Sequence, residues 1–165
     1  MNILTVVLRL IHILAGAFWV GGAWTMTFYV SPTVGATAES GQQFMQHFMS
    51  RTNFQKIMMA AAGLSVTAGA ILFIRNPSGW ASSSAGIGFG IGAFFALIGL
   101  VFGILISRNG RAVMGLGAQI KGQPTPEQLA QMQMLQKRLG MYSTVNAYSL
   151  LLAVTFMATA RYFVF

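Results

Sequence analysis

The apolar residues of this chain fall into four long blocks separated by shorter polar stretches. The blocks cover roughly residues 3–30, 54–74, 85–107 and 141–163. Each matches the about 20 apolar residues that a helix needs to cross the hydrocarbon core of a bilayer. The pattern therefore predicts an all-α integral membrane protein. We expect one transmembrane domain over residues 1–165, an antiparallel up-and-down bundle of four transmembrane helices.

Turn and capping residues predict where the first two helices end and begin. The first block should stop at Pro32, because proline disfavours the continuation of a helix. Residues 40–43 (SGQQ) fit a capping box, so a second helix should begin near Gly41, protrude, and enter the lipid at Phe54. One face of this protruding part would be interfacial and would hold Phe44, Met45, Phe48 and Met49.

The later connections differ in length and polarity. Residues 76–79 (NPSG) should break the chain between the second and third spans, with Trp80 as an interfacial anchor. Residues 108–140 form a longer polar connection in which Thr125 begins a capping box with proline at the first helical position. A helical stripe follows that box. We expect a cytoplasmic hairpin in which an extension of helix four packs on an extension of helix three through Leu129, Met132, Leu135 and Leu139; a surface-lying amphipathic helix is the alternative.

The composition supports a lipid environment and excludes several kinds of functional site. The chain is 55% hydrophobic and 7% charged, whereas about 25% of residues are charged in an average soluble domain. It has no cysteine, which excludes disulfides and thiolate sites. The two acidic residues, Glu39 and Glu127, lie in connections, so carboxylate-based proton pumping and hard-cation transport are not expected.

The basic residues predict orientation in the membrane. The net charge is +8, and because the basic residues lie at the ends of the apolar blocks we interpret them as topology determinants and lipid contacts, not as a nucleic-acid surface. One side would hold Arg75 and Arg161. The other side, expected to be cytoplasmic, would hold Arg51, Lys56, Arg108, Arg111, Lys121, Lys137 and Arg138. We therefore predict a bacterial inner-membrane protein with both termini in the periplasm.

Glycines in the third block share one helix face. Their spacings of four, seven and four residues are typical of small-residue surfaces that let helices approach closely. We expect this face to pack against helix one or two, with a surface that admits a flat cofactor as the alternative. The face consists of Gly88, Gly92, Gly99 and Gly103.

The first block contains two ionisable residues inside apolar sequence, and such residues are costly enough to indicate function. Arg9 and His12 are three residues apart, and Gly16 and Trp19 continue the same helix face. This stripe is compatible with haem b: His12 as axial ligand, Gly16 and Trp19 beside the porphyrin, and Arg9 paired with a propionate. In the alternative, His12 hydrogen bonds to a neighbouring helix and Arg9 reaches the periplasmic surface. Structural use is the commoner one for a lone membrane histidine.

Other candidate ligands are weaker. The second histidine, His47, should lie on the opposite side of the membrane, so both histidines cannot ligate one iron. Met157 is the only obvious soft sixth ligand, although a methionine there is more often an apolar gap-filler. Thioether and imidazole groups also suit copper(I), but the eleven methionines are scattered. Tyr142, Asn146 and Ser149 form a polar face on helix four, for which we expect interhelical hydrogen bonds.

The run from Arg9 to Gly22 (RLIHILAGAFWVGG), which precedes Ser31-Pro32, resembles the first helix of a group of small bacterial membrane proteins. That group includes the copper-resistance CopD-like proteins and the HemJ-type protoporphyrinogen oxidases. Residues 66–69 (VTAG) and Asn146 ahead of residues 150–152 are similar to its second and fourth helices. The resemblance implies haem contact through His12, or metal handling near the outer face in the copper-linked branch. The essential third-helix lysine of the HemJ-type branch has no counterpart in residues 85–107.

Three functions follow as hypotheses. The first is a small haem-binding membrane protein of electron-transfer or redox type. The second is a non-catalytic accessory subunit of a larger membrane complex or a homo-oligomer, with the glycine face and the hairpin as docking surfaces. Copper handling is the third and weakest. No phosphate loop, catalytic triad or zinc spacing assigns an enzymatic reaction.

Overall fold

In the computed structural model, residues 2–77, 79–120 and 122–163 are described, and this part of the chain is built from helices and short connections without a strand. Its α-helices are α1 (Ile3–Thr25), α2 (Ser31–Ala36), α3 (Ala38–Arg51), α4 (Phe54–Ile74), α5 (Ser84–Gln119) and α6 (Pro126–Thr159). A π-helical turn, Met26–Val30, joins α1 to α2, and 3-10 turns lie at Trp80–Ser82 and Ala160–Tyr162. Within these described ranges, four helical stretches are long and apolar enough to cross a membrane: Ile3–Ala36, Phe54–Ile74, Ser84–Gln119 and Pro126–Tyr162. The all-α fold and the multi-pass character are thus as predicted.

The first helix continues through Pro32, so the predicted stop at Ser31-Pro32 is wrong. Proline lacks the N–H that an α-helix requires at this point. The helix accommodates the loss by widening to a π turn just before it, in which the Ser31 N–H donates to the carbonyl of Met26, five residues back. Pro32 then lies in the first turn of α2, the part of a helix in which proline is best tolerated.

The connection to the second span contains a separate helix, which corrects the predicted start near Gly41. The N-cap of α3 is Thr37, and the Ser40 hydroxyl donates to the Thr37 carbonyl at 2.8 Å instead of capping a later start. Asn53 ends the segment in the left-handed region, at φ 52°. Therefore α3 is not an extension of α4, which begins at Phe54, the residue predicted to enter the lipid.

The glycine face of α5 packs chiefly against α6, whereas the prediction named helix one or two; helix one reaches it only through Trp19 beside Gly99 among the described residues. A Cβ at Gly92 would lie 2.7 Å from Cγ of Met157 and 3.0 Å from the carbonyl of Ala153. At Gly99 the nearest atom would be Cδ2 of Leu150, at 2.6 Å. Residue numbers rise along α5 as those of their α6 partners fall. The prediction of close helix contact is correct, but its partner is the following helix in the chain.

Polar and capping features of this helix pair follow the sequence predictions. Asn146, 3% exposed, donates through Nδ2 to the carbonyl of Gly99 at 2.6 Å. Thr125 and Gln128 form the predicted capping box at the start of α6. Leu116 and Leu135 are buried beyond the apolar blocks, whereas Leu129, which was predicted to lie in the contact between the two helices, is 47% exposed. Two residues used in the predictions, Ser78 and Lys121, lie outside the described residues.

A core of small and large apolar side chains joins the two helix pairs α1–α4 and α5–α6. Its buried members are Trp19, Ala23, Ala61, Ala62 and Leu150. One hydrogen bond reinforces it: the Trp24 indole donates to the carbonyl of Ala147 at 2.9 Å. The pairs contact each other less than the helices within each pair do.

Candidate functional site

His12 and Ser65 face each other across the contact between α1 and α4, and each lies against a glycine of the other helix. A Cβ at Gly69 would approach Cε1 of the His12 ring to 2.8 Å, and one at Gly16 would approach the Ser65 hydroxyl to 3.0 Å. The pairs His12/Gly16 and Ser65/Gly69 have the same four-residue spacing, about one helical turn. Each helix therefore supplies one polar side chain and one gap that receives the partner's side chain.

The hydrogen bond of the His12 ring determines which of its nitrogens stays available. Nδ1 lies 2.8 Å from the backbone carbonyl of Ser65. A carbonyl can only accept, so Nδ1 is the nitrogen that carries the proton. Nε2 has no hydrogen-bond partner in the described part of the chain. The half-buried ring is thus fixed in orientation and keeps an uncommitted nitrogen, the arrangement that metal-ligating histidines usually have.

Ser65 joins the two backbones as well as facing the ring. Its hydroxyl donates to the carbonyl of His12 at 3.1 Å and lies 3.4 Å from Nδ1. The serine is 5% exposed, whereas Thr67 nearby on the same helix is exposed. Ser65 therefore fills the contact between α1 and α4 next to His12, at the level of Gly16.

Arg9 lies one turn beyond His12 toward the start of α1. Its side chain is exposed, and its guanidinium has no hydrogen-bond or ion-pair partner among the residues that the structure describes. The register set by His12 opposite Gly69 places Arg9 beside the end of α4, near Phe73. The Phe73 ring meets Trp80 edge-on, with centroids 5.5 Å apart. An arginine at the level of these aromatic residues is free to meet an anion.

Gly16 and Trp19, predicted to lie beside a porphyrin, take part in helix packing. Gly16 is beside the Ser65 hydroxyl. Trp19 is 5% exposed, and its ring carbon Cζ2 lies 3.8 Å from the Cβ position of Gly99. The residues of the predicted haem-binding stripe thus have two different roles. His12 and Arg9 keep unused polar atoms, whereas Gly16 and Trp19 fill contacts between helices.

The remaining candidate ligands lie elsewhere. Met157 packs on Gly92 in the contact between α5 and α6. His47, on α3, is exposed, and its Nδ1 lies 3.1 Å from the carbonyl of Gln43 in its own helix. In the described ranges no three His, Cys, Asp or Glu side chains gather as a metal site. Two surface grooves, of about 490 and 290 Å³, are lined by other residues than His12.

Sequence reasoning identified His12 and Arg9 but not the role of Ser65 and Gly69. A serine and a glycine inside a span are common, and neither is ionisable. The informative feature was their four-residue spacing, equal to that of His12 and Gly16. Its meaning depends on the register between α1 and α4, which only the folded structure supplies.

Comparison with known proteins adds no relative. No family model, no curated protein and no solved structure matches this chain. The resemblance to the CopD-like and HemJ-like group therefore stays a prediction.

Proposed function

We propose that this chain is a small membrane protein that holds one haem b through Nε2 of His12 and takes part in electron transfer. The supporting observation is that the two nitrogens of the imidazole have different roles. Its Nδ1 is committed to the Ser65 carbonyl at 2.8 Å, and Nε2 has no partner in the described residues. A neutral imidazole fixed through one nitrogen is well suited to ligate iron through the other.

The donor set fits a haem at two points. His12 would supply the axial bond, and the exposed, unpaired Arg9 would meet a propionate through a charge-assisted contact. Gly16 and Trp19 would contribute indirectly, since they hold α1 against its neighbours. When bound, the haem would supply one-electron redox chemistry. The chain's own part is to orient the imidazole through Ser65 and to position a positive charge one turn farther out.

We further propose the membrane placement that goes with this site. The four long helices would cross a bacterial inner membrane as an antiparallel up-and-down bundle with both termini in the periplasm. The paired ends of α5 and α6 would extend into the cytoplasm. Support comes from the described basic residues: Arg51, Lys56, Arg108, Arg111, Lys137 and Arg138 lie toward one end, against Arg75 and Arg161 toward the other. His12 would then lie in the periplasmic half.

Purification with adequate haem supply tests the proposal. The wild-type protein should be red, with a Soret band, and His12→Ala should abolish or strongly reduce haem retention because the iron loses its axial bond. Arg9→Ala should weaken retention without abolishing it, since a hydrogen bond to a charged group is typically worth about 1.5–3 kcal/mol.

The matched control is the other histidine. His47→Ala should leave the spectrum unchanged, because this side chain is exposed on α3. A spectrum that survives His12→Ala but not His47→Ala would place the haem at the wrong end for this proposal. A colourless wild-type protein would refute it.

A second candidate function, accessory subunit of a membrane complex, has its own supporting observation. On the hairpin beyond the apolar blocks, Met114, Leu129 and Met134 are 54%, 47% and 47% exposed. Apolar side chains exposed outside lipid favour a protein contact. A colourless protein that copurifies with a defined partner would support this function. Bound copper without porphyrin would instead support the third hypothesis.

A further inference from the structure

The elbow where α2 meets α3 encloses an open groove of about 490 Å³. Gly41 allows this close approach, because a Cβ there would collide with the Val34 backbone and the Thr37 hydroxyl. The walls are contributed by the π turn, α2 and the first half of α3. They are Tyr29, Val30, Thr33, Val34, Thr37, Ser40, Gly41 and Phe44.

The threonine and serine hydroxyls in this groove are already used as donors, which leaves the Tyr29 phenol at its edge. Thr33 donates to the carbonyl of Tyr29 at 2.7 Å, Thr37 to that of Thr33 at 2.8 Å, and Ser40 to that of Thr37 at 2.8 Å. A serine or threonine hydroxyl has a single proton to donate. A polar ligand would therefore find few free donors, and a hydrocarbon chain would lose nothing by lying there.

The same face of α3 continues from the groove to a free positive charge. Phe44 is 55% exposed and stacks on Phe48 with ring centroids 5.9 Å apart. Arg51 follows at the next helical position on this face, is exposed, and has no acidic partner among the described residues. The opposite face of α3 holds the polar residues Glu39, Gln42, Gln43, Gln46 and Ser50, with Met49 at its edge.

We propose that the elbow binds an anionic phospholipid, with an acyl chain in the groove and the phosphate at Arg51. This assignment is independent of the haem at His12. An apolar groove that leads to an unpaired cation matches the two parts of such a lipid, and anionic lipids attract basic groups at a membrane surface.

The position of α3 in the chain favours a lipid over a soluble partner. Only Thr37 separates α3 from the first membrane-competent helix, and only Thr52 and Asn53 separate it from the second. The apolar face thus cannot move far from the ends of two spans. Phe48 also contacts Phe54 at the start of α4, with centroids 5.1 Å apart, which holds α3 beside the apolar surface of that span.

The cysteine-free chain allows a direct test with the full-length protein in vesicles. A fluorophore is attached to Phe44→Cys, or to Gln46→Cys on the opposite face as matched control. Quenching is measured in phosphatidylcholine vesicles that contain the same fraction of either phosphatidylglycerol or phosphatidylcholine with a nitroxide on the acyl chain. We expect stronger quenching at position 44 than at 46, and stronger quenching at 44 by the anionic lipid than by the zwitterionic one.

Two charge variants in the Phe44→Cys background decide whether Arg51 selects the lipid. Arg51→Gln should remove the difference between the two nitroxide lipids, and Lys137→Gln, which removes an exposed charge from the hairpin, should keep it. Equal quenching by both lipids in the unaltered background would overturn the proposal. So would equal, weak quenching at positions 44 and 46, which indicates water, or energy transfer between labels at 44, which indicates a second copy in the groove.

Discussion

The two helix pairs of this protein are held together by different chemistry. Between α5 and α6, glycines lie against apolar side chains and one buried amide, Asn146, donates to the carbonyl of Gly99 at 2.6 Å. Between α1 and α4, a half-buried imidazole and a buried hydroxyl each lie against a glycine of the other helix. Both pairs use glycine to bring helices close, but only α1 and α4 keep an imidazole at their contact.

This difference distinguishes a contact that only holds two helices together from one that also leaves an atom available to a ligand. The amide of Asn146 is 3% exposed and binds the backbone of α5, so it stabilises and orients without offering an atom to a ligand. The His12 ring uses one nitrogen for the same purpose and keeps the other. Close packing alone is therefore a poor indicator of function here, whereas an uncommitted nitrogen beside an unpaired arginine is a better one.

The largest loss of stability is expected from adding side-chain volume to the contact between α5 and α6. Gly92→Leu should strongly destabilise the protein, because its Cβ would lie 2.7 Å from Cγ of Met157 and 3.0 Å from the Ala153 carbonyl. A backbone oxygen cannot move aside as a flexible side chain can. Overpacking typically costs about 1–3 kcal/mol, and we expect the upper end of that range in detergent unfolding.

Gly90→Leu is the matched control, since in the described part of the chain no atom beyond its own stretch of helix lies within 4 Å of its Cβ position. It should unfold close to the wild type. Equal stability of the two variants would mean that α5 does not depend on close contact with α6 at Gly92.

A medium effect on stability is expected where α1 and α4 meet at Gly16 and Ser65. The effects of changing these two residues should be energetically coupled. Gly16→Ala brings a Cβ to 3.0 Å from the Ser65 hydroxyl, and Ser65→Ala removes both that oxygen and its bond to the His12 carbonyl. The double variant should therefore lose less stability than the sum of the single ones, by about 0.5 kcal/mol or more in a double-mutant cycle. Gly21→Ala, whose Cβ would meet no described atom of another helix within 4 Å, should be additive with Ser65→Ala. Additivity at Gly16 as well would refute the contact.

Much of the fold was predictable because lipid imposes a simple rule on sequence. Apolar blocks long enough to span a bilayer became the four long helices, and the box at Thr125 marked the start of α6. Pro32 was misjudged, since its local effect is to remove one hydrogen bond, and a π turn absorbs that loss without ending the helix. Whether a helix bends or stops depends on contacts that a local pattern does not contain.

The site was predictable only in its ionisable members. His12 and Arg9 are conspicuous because charge and imidazole are expensive in lipid. The roles of Trp19 and Gly16 were harder to predict, because one helix face contacts several neighbours. The sequence does not say which neighbour meets which residue. The same limit explains why α6, the main partner of the glycine face of α5, was not predicted.

The smallest effect is expected at the start of α6, outside the helix contacts. Its own backbone N–H and then the Thr125 hydroxyl hold the pKa of Glu127 below the ordinary carboxyl value of 4.5. A carboxyl whose pKa is lower in the folded state stabilises it at pH values above the unfolded pKa, and this contribution is lost as the pH falls through the folded pKa. Unfolding of the wild type and Glu127→Gln should therefore differ slightly at neutral pH and converge well below pH 4.5. A difference that grows in acid would show that the carboxylate does not act through the helix start, because it would then stabilise the folded state in its protonated form.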